Sequence, residues 1–256
     1  MYFRRKNSKI KMNIVGIIPA RFASTRFPGK PLIDIAGKTM IQRVYEQAKK
    51  ANSLSEVVVA TDDERIAQHV LSFGGNVVMT SENHQSGTDR CFEAIEKFEI
   101  NADAVINIQG DEPFIQPEQI DLVASCFSIR ETELATLVKK ISTNEELFNP
   151  NTPKVLLNSN KEAIYFSRQT IPHVRGKEQN EWLKHHTFYK HIGIYGYRTD
   201  VLATITQLKQ SNLELAEALE QLRWIENGYK IKVEITDFES VAIDSPDDLQ
   251  KLTKFL

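Results

Sequence analysis

The chain has 256 residues, 41% of them hydrophobic and 26% charged, with a net charge of −2. That length can bury one large core, and the near balance of charge excludes a general electrostatic drive toward nucleic acid or membrane. No apolar run approaches the roughly 20 residues that cross a bilayer, and Cys91 and Cys126, with no Cys-x-x-Cys, support neither a disulfide framework nor a zinc site; a reduced, cytoplasmic protein is expected.

Residues 1–12 carry Arg4, Arg5, Lys6, Lys9 and Lys11 but no acid and no apolar stretch of the kind a secretory signal needs. They read as a disordered basic tail or a mis-assigned start upstream of Met12, with a targeting peptide as the alternative. Residues 13–18 are an apolar run of strand type. Directly after it comes Pro19-Ala-Arg-Phe-Ala-Ser-Thr-Arg-Phe-Pro-Gly-Lys30, with Arg21, Arg26 and Lys30 beside Ser24, Thr25 and Gly29. Ligands of open α/β sheets bind beyond the carboxyl ends of strands. Cations, hydroxyls and backbone N–H groups gathered there make a receptor for a polyanion such as a triphosphate. The spacing is not that of a Walker A loop, which needs a Gly separated by four residues from Gly-Lys and Ser or Thr after it. No Gly-x-Gly-x-x-Gly is present there either.

A helix is predicted over 39–51, where Met40, Ile41, Val44 and Ala48 fall at helical spacing. Residues 56–60 are a second strand, and Asp62-Asp63 can cap a helix over 64–73 that Gly74-Gly75 ends. A strand over 76–80 and a helix over 89–98 follow. The strand 104–108 delivers Gln109-Gly-Asp-Glu-Pro113, and Pro117 opens a helix to about residue 127. This alternation predicts a parallel sheet covered on both faces, hence an α/β, Rossmann-like domain. After residue 130 the rhythm changes. Strands at 135–141, 154–157, 163–167 and 192–197 are separated by polar segments, which suggests a β-rich insertion of about 150–200. Helices over 200–208 and 213–227, a strand over 230–235 and a closing helix over 246–256 complete the reading.

Asp111 follows an apolar strand and Gly110, so its carboxylate is expected at the sheet's carboxyl edge, facing Lys30. Asp244 occupies a second strand-to-helix junction before Ser245-Pro246. Two carboxylates at two strand ends are a plausible Mg²⁺ site, although each alone could be a helix cap. Ser86-Gly87-Thr88-Asp89-Arg90 is either a turn with a helix cap or a place where a base or ribose is recognised. His185-His186 and His191 invite a metal reading, but a surface pair explains the first two. Glu214, Glu217 and Glu220 with Arg223 have the spacing of a solvated helix face.

With these residues in view, the chain resembles the 3-deoxy-manno-octulosonate (Kdo) cytidylyltransferases. The resemblance runs from about Asn13 to the last helix, through IPARFASTRFPGKPL, VATDDERI, HQSGTDR, INIQGDEP, FNPNTPKV, YFSRQTIP, HIGIYGYR, LELAEALEQLR and IDSPDDL. It implies a nucleotidyltransferase domain over 13–256 with a dimerisation region within 150–200, and a homodimer that joins CTP to Kdo with Mg²⁺ for lipopolysaccharide assembly. By the same resemblance Ala20, Arg21, Ser24, Lys30, Ser86, Gly87, Thr88, Gln109 and Asp111 would meet the nucleotide. Asp111 and Asp244 would hold magnesium and, with Arg21 and Lys30, carry catalysis. Arg26, Gln109, Arg168, His191, Tyr195, Glu220 and Gln221 would line the sugar pocket, with Arg168 forking onto the sugar carboxylate. Thereby His191 and Glu220 acquire roles that spacing does not reveal. The alternatives are an enzyme for a related acid sugar, such as 8-amino-Kdo or a sialic acid, and a non-catalytic nucleotide-binding protein.

Overall fold

A computed structural model of the chain describes residues 12–23, 27–239, 242–243 and 245–251. Ser24, Arg26, Asp244 and the basic segment before Met12 therefore lie outside the described residues. The first half runs β1 (Ile14–Ala20), the small hairpin β2 (Asp34–Ile35) and β3 (Lys38–Thr39), α1 (Met40–Ala48), β4 (Glu56–Thr61), α2 (Glu64–Ser72), β5 (Asn76–Met79), α3 (Gly87–Lys97), β6 (Ala104–Asn107) and α4 (Pro117–Ser125). Then come β7 (Leu134–Lys140), α5 (Asn144–Phe148), β8 (Lys154–Leu157), β9 (Ala163–Ser167), α6 (Trp182–His185) and β10 (Tyr189–Arg198). The last elements are α7 (Thr199–Ile205), α8 (Asn212–Glu217), α9 (Gln221–Glu226), β11 (Ile231–Ile235) and α10 (Pro246–Lys251).

The main sheet has the order β11-β7-β10-β6-β1-β4-β5. β5, β4, β1 and β6 are mutually parallel, β10 is antiparallel to both β6 and β7, and β11 runs parallel to β7. The fold is thus α/β with a mainly parallel sheet, as the alternation predicts. The hairpin β8–β9 attaches to the start of β10 through Lys154 and Val155.

Alternation along β1 explains the layering. Ile14, Ile18 and Ala20 face the core shared with α1, α2 and α4, whereas Val15 and Ile17 face the core built by α3, α7 and α9. Successive strand side chains point to opposite faces, and burying both leaves nearly every β1 residue closed to water. The parallel strands β1, β4 and β6 all end at one edge of the sheet, which is where the loops from Arg21, Asp62 and Ile108 begin.

The region 213–227, expected to be one helix, is two. α8 stops at Ala218, whose φ of 49° and ψ of 51° put it in the left-handed region. Residues 213–223 are all good helix formers, so the break has a tertiary cause: the carbonyls of Glu217 and Ala218 accept hydrogen bonds from Arg168 at 2.6 and 3.2 Å. β10 is longer than the expected 192–197, and its register with β7 shifts between Ile192 and Tyr195. Such bulges re-aim side chains; here Gly193 is turned toward Gln109 and Glu112. The short helices α5 and α6 were not anticipated from periodicity, being too brief to show one.

Candidate active site

Two backbone features build the phosphate-facing corner. Gly29 adopts φ +71°, which Gly tolerates without cost, and its N–H bonds the Phe22 carbonyl at 3.0 Å. Lys30 then begins a 3-10 turn, from which its side chain reaches Asp111. At the end of β6, a Cβ on Gly110 would lie 2.6 Å from the Pro19 carbonyl. Only glycine lets the two loops approach this closely, and Asp111 is thereby delivered beside β1. Lys30 Nζ and Asp111 Oδ2 meet at 2.8 Å, both partly buried.

They border a cavity of about 490 Å³, together with Ala20, Arg21, Ser86, Gly87 and Gln109. Seven residues singled out in three separate segments of sequence therefore share one space. Arg21 Nη1 donates to the His84 carbonyl at 3.2 Å. Ser86 caps α3, accepting from Asp89 N at 3.1 Å in a capping box, so the cap exists and also borders the cavity. The helix N-terminus adds partial positive charge there. Arg90, which its motif does not mark as a site residue, also belongs to this site. Its side chain is 1% exposed, donating to Asp62 at 2.8 Å and to Thr80 at 2.5 Å, and it forms part of the cavity wall. The available signal was a charged residue on the helix face that also carries Cys91, Ala94 and Ile95.

No group of three or more His, Cys, Asp or Glu that could hold a metal occurs among the described residues. Magnesium rarely needs one, since one or two carboxylates plus substrate phosphates and water usually suffice. Asp111 offers such a carboxylate, already facing a cation in Lys30, so the donor chemistry fits. Ile243 N donates to the Asp111 carbonyl at 3.0 Å. Ile243 is itself fully buried with Ile35 and Met40, which brings the residue preceding Asp244 in sequence against Asp111; Asp244 is outside the described residues.

Of the expected sugar-contact residues, Gln109 borders this cavity and Glu220 meets the start of α3. Thr88 Oγ1 donates to Glu220 Oε2 at 3.0 Å, and Tyr197 stands 3.3 Å from both Thr88 and Asn107 Nδ2. The proton order follows. With Thr88 donating to Glu220, Tyr197 donates to Thr88 and must accept from Asn107, which fixes the amide orientation of Asn107. Asn107 Oδ1, Tyr195 Oη and Gln221 Nε2 are then buried with no partner among the described residues. Buried polar atoms are normally satisfied, so this cluster is built for water or a polar ligand. Burial raises the Glu220 carboxyl above its ordinary pKa, a shift that the Thr88 and Ser86 hydroxyls oppose.

Glu220 and Ser86 also line a second cavity of about 310 Å³ with Gln210 and Leu215. Arg168, His191, Tyr195 and Gln221 line neither cavity. The solvated face expected for Glu214, Glu217 and Arg223 is not found. Glu214 and Arg223 are buried and paired at 2.5 and 2.8 Å, and Glu217 accepts from Ser167 and from Arg168 N. The break at Ala218 turns α9 back on α8 and closes that face. His185 and His186 are exposed.

His191 packs edge-on against Phe166 and near Tyr195. Thr136 Oγ1 gives its proton to the Ile194 carbonyl at 2.7 Å, so His191 Nε2 donates to Thr136 at 3.0 Å and Nδ1 keeps its lone pair. Burial pushes the ring pKa down to about 3. The folded chain therefore holds His191 neutral, while the unfolded chain protonates it below its ordinary 6.5. The stability this confers is complete above pH 6.5 and lost as pH falls toward 3. Between pH 7 and 5 it amounts to about 2 kcal/mol. Urea unfolding should show His191→Gln with a shallower pH dependence by that amount; equal slopes for variant and parent would contradict the neutral ring.

The sequence pattern of the cytidylyltransferase family matches residues 15–232. A relative from Parabacteroides distasonis named 3-deoxy-manno-octulosonate cytidylyltransferase is 61% identical over 249 residues, 96% of this chain and 98% of the relative. One of the same name from Cytophaga hutchinsonii is 62% identical over 243 residues, 94% and 97% of the two chains. Among solved structures, CMP:2-keto-3-deoxy-manno-octonic acid synthetase complexed with CTP superposes with a TM-score of 0.88 at 42% identity, covering 95% of this chain and 98% of the other.

Proposed function

The chain belongs to the 3-deoxy-manno-octulosonate cytidylyltransferases, and from that premise we propose how its residues join CTP to Kdo, releasing pyrophosphate and giving CMP-Kdo for lipopolysaccharide assembly. The observation that carries the reading is the Lys30–Asp111 pair at 2.8 Å in the wall of a cavity that also holds Arg21 and the Ser86–Gly87 turn. The anomeric hydroxyl of Kdo attacks the α-phosphorus of CTP in line, and pyrophosphate leaves. Arg21 and Lys30 neutralise the charge that builds on the leaving group, as preorganised cations do in phosphoryl transfer. The Ser86–Thr88 turn, Ala20, Ser24 and Gln109 hold the nucleotide, and Arg26 is assigned to the sugar. Arg168, His191, Tyr195, Glu220 and Gln221 orient the acid sugar, with the neutral His191 ring offering an acceptor to a sugar hydroxyl. Asp111 and Asp244 would hold a divalent cation, Mg²⁺, which supplies charge neutralisation on the phosphates and lowers the pKa of the attacking hydroxyl.

The 150–200 region, with the β8–β9 hairpin, is the dimerisation surface in this reading, and the enzyme works as a cytoplasmic homodimer. No described helix is long and apolar enough to cross a membrane. The deciding experiment incubates the protein with CTP, MgCl₂ and separate samples of Kdo, 8-amino-Kdo and a sialic acid, following pyrophosphate release and product mass. CMP-Kdo as the dominant product is expected. A stronger signal with another acid sugar would move the specificity to that sugar, and CTP binding without turnover for any sugar would overturn the enzymatic reading.

A further inference from the structure

Lys154, the first residue of β8, is 1% exposed. Its Nζ donates to the carbonyls of Asn149, Thr152 and Arg168 at 2.9, 2.7 and 2.8 Å. Those three bonds use every donor an ammonium has. Burying a cation is costly unless its hydrogen bonds are met, so a lysine at this position calls for a reason beyond packing volume.

The three carbonyls supply that reason. Two belong to the loop before β8, and this loop touches two residues expected to line the sugar pocket, Arg168 and His191. Its Pro150 carbonyl accepts from Arg168 Nη1 at 3.2 Å, and its Pro153 carbonyl accepts from His191 N at 2.9 Å. The third carbonyl is that of Arg168 itself, whose backbone N–H is held by Glu217 Oε2 at 2.9 Å. The Arg168 side chain in turn holds Glu217 and Ala218, two residues before Glu220. Lys154 therefore stands behind Arg168 and His191 and touches the common support of both, while it borders neither cavity.

We propose that Lys154 is a positioning residue for the acid-sugar end of the site, fixing Arg168 and the 149–153 loop so that the guanidinium and His191 meet the sugar in register. This rests on the reading that Arg168 receives the sugar carboxylate. A small displacement of a positioned group is enough to weaken recognition steeply.

The test uses the full chain and four proteins: parent, Lys154→Met, Arg168→Ala and the double variant. Initial rates are measured against Kdo at saturating CTP and against CTP at saturating Kdo, with circular dichroism and thermal melting as controls. Lys154→Met is expected to raise KM for Kdo about tenfold, the equivalent of one lost interaction, with KM for CTP unchanged. In the Arg168→Ala background it should add little, because two residues acting through one contact are not additive. An Arg168→Ala protein with normal KM for Kdo overturns the carboxylate reading and this inference with it. If Arg168→Ala raises that KM and Lys154→Met does not, only the role of Lys154 is overturned. Equal increases in both KM values, or a full multiplicative effect in the double variant, also overturn it. Should Lys154→Met fail to fold, Lys154→Gln keeps two donors and should give a smaller, still Kdo-selective, rise. A chain that folds in neither form would make Lys154 a residue of the fold alone and end the proposal.

Discussion

Lys30→Ala is expected to lower kcat/KM for CTP by about 10²–10³-fold, on the scale of about 3–4 kcal/mol for removal of one preorganised electrostatic donor. The loop that presents Lys30 is fixed by the Gly29 turn and its bond to Phe22, so truncation removes the charge and not the scaffold. The ion pair with Asp111 is partly buried, its side chains retaining 16% and 27% exposure, so its attraction is largely offset by the cost of desolvating both charges. Melting should therefore shift by only a few degrees while turnover collapses. Steady-state kinetics with CTP varied, alongside a melting curve, separate the two. An unchanged kcat/KM would remove Lys30 from the phosphate site, and a large loss of stability would assign it to the fold.

Asp111→Asn is the sharper probe of the cation. The amide is nearly isosteric and can still accept from Lys30, and the Ile243 N–H bonds the backbone of residue 111, which the substitution leaves alone. Only the negative charge goes. The expected result is a fall in kcat of about 10²-fold or more, with the magnesium concentration for half-maximal rate raised. Titration of CTP binding with and without Mg²⁺ gives a readout apart from turnover: the parent should bind CTP more tightly with the cation and the variant should lose that enhancement. Near-normal rates at saturating Mg²⁺ would show that Asp111 is not a ligand. The two variants also differ usefully from each other. Loss of Lys30 acts with or without metal, whereas loss of Asp111 acts through it.

Much of this architecture could be read from the chain. The apolar run of β1, the Val-rich β4 and the helix signals at Asp63 and Ser86 each state their own local structure, because periodicity and caps act over a few residues. From these the α/β class and the loop edge carrying Lys30 and Asp111 follow. Wherever a feature is made by residues distant in sequence, local rules miss it. Residues 213–223 are good helix formers throughout, and nothing near them announces that Arg168 will take the carbonyls of Glu217 and Ala218. The acids of that segment look solvated by spacing, yet Glu214 is buried against Arg223 once α9 folds back.

What the sequence determined by itself was the strand–helix alternation of the first half and the chemistry gathered in single loops: cations after β1, a carboxylate after β6, hydroxyls at the start of α3. What only the tertiary structure decided was the relation among segments. Asn107, Tyr197, Thr88 and Glu220 form one directed chain of hydrogen bonds although they come from β6, β10, α3 and the turn before α9. The direction of each donor, like the low pKa of His191 and the carbonyl cage of Lys154, depends on which groups exclude water around it. That is a property of three-dimensional packing, and no pattern along the chain encodes it locally.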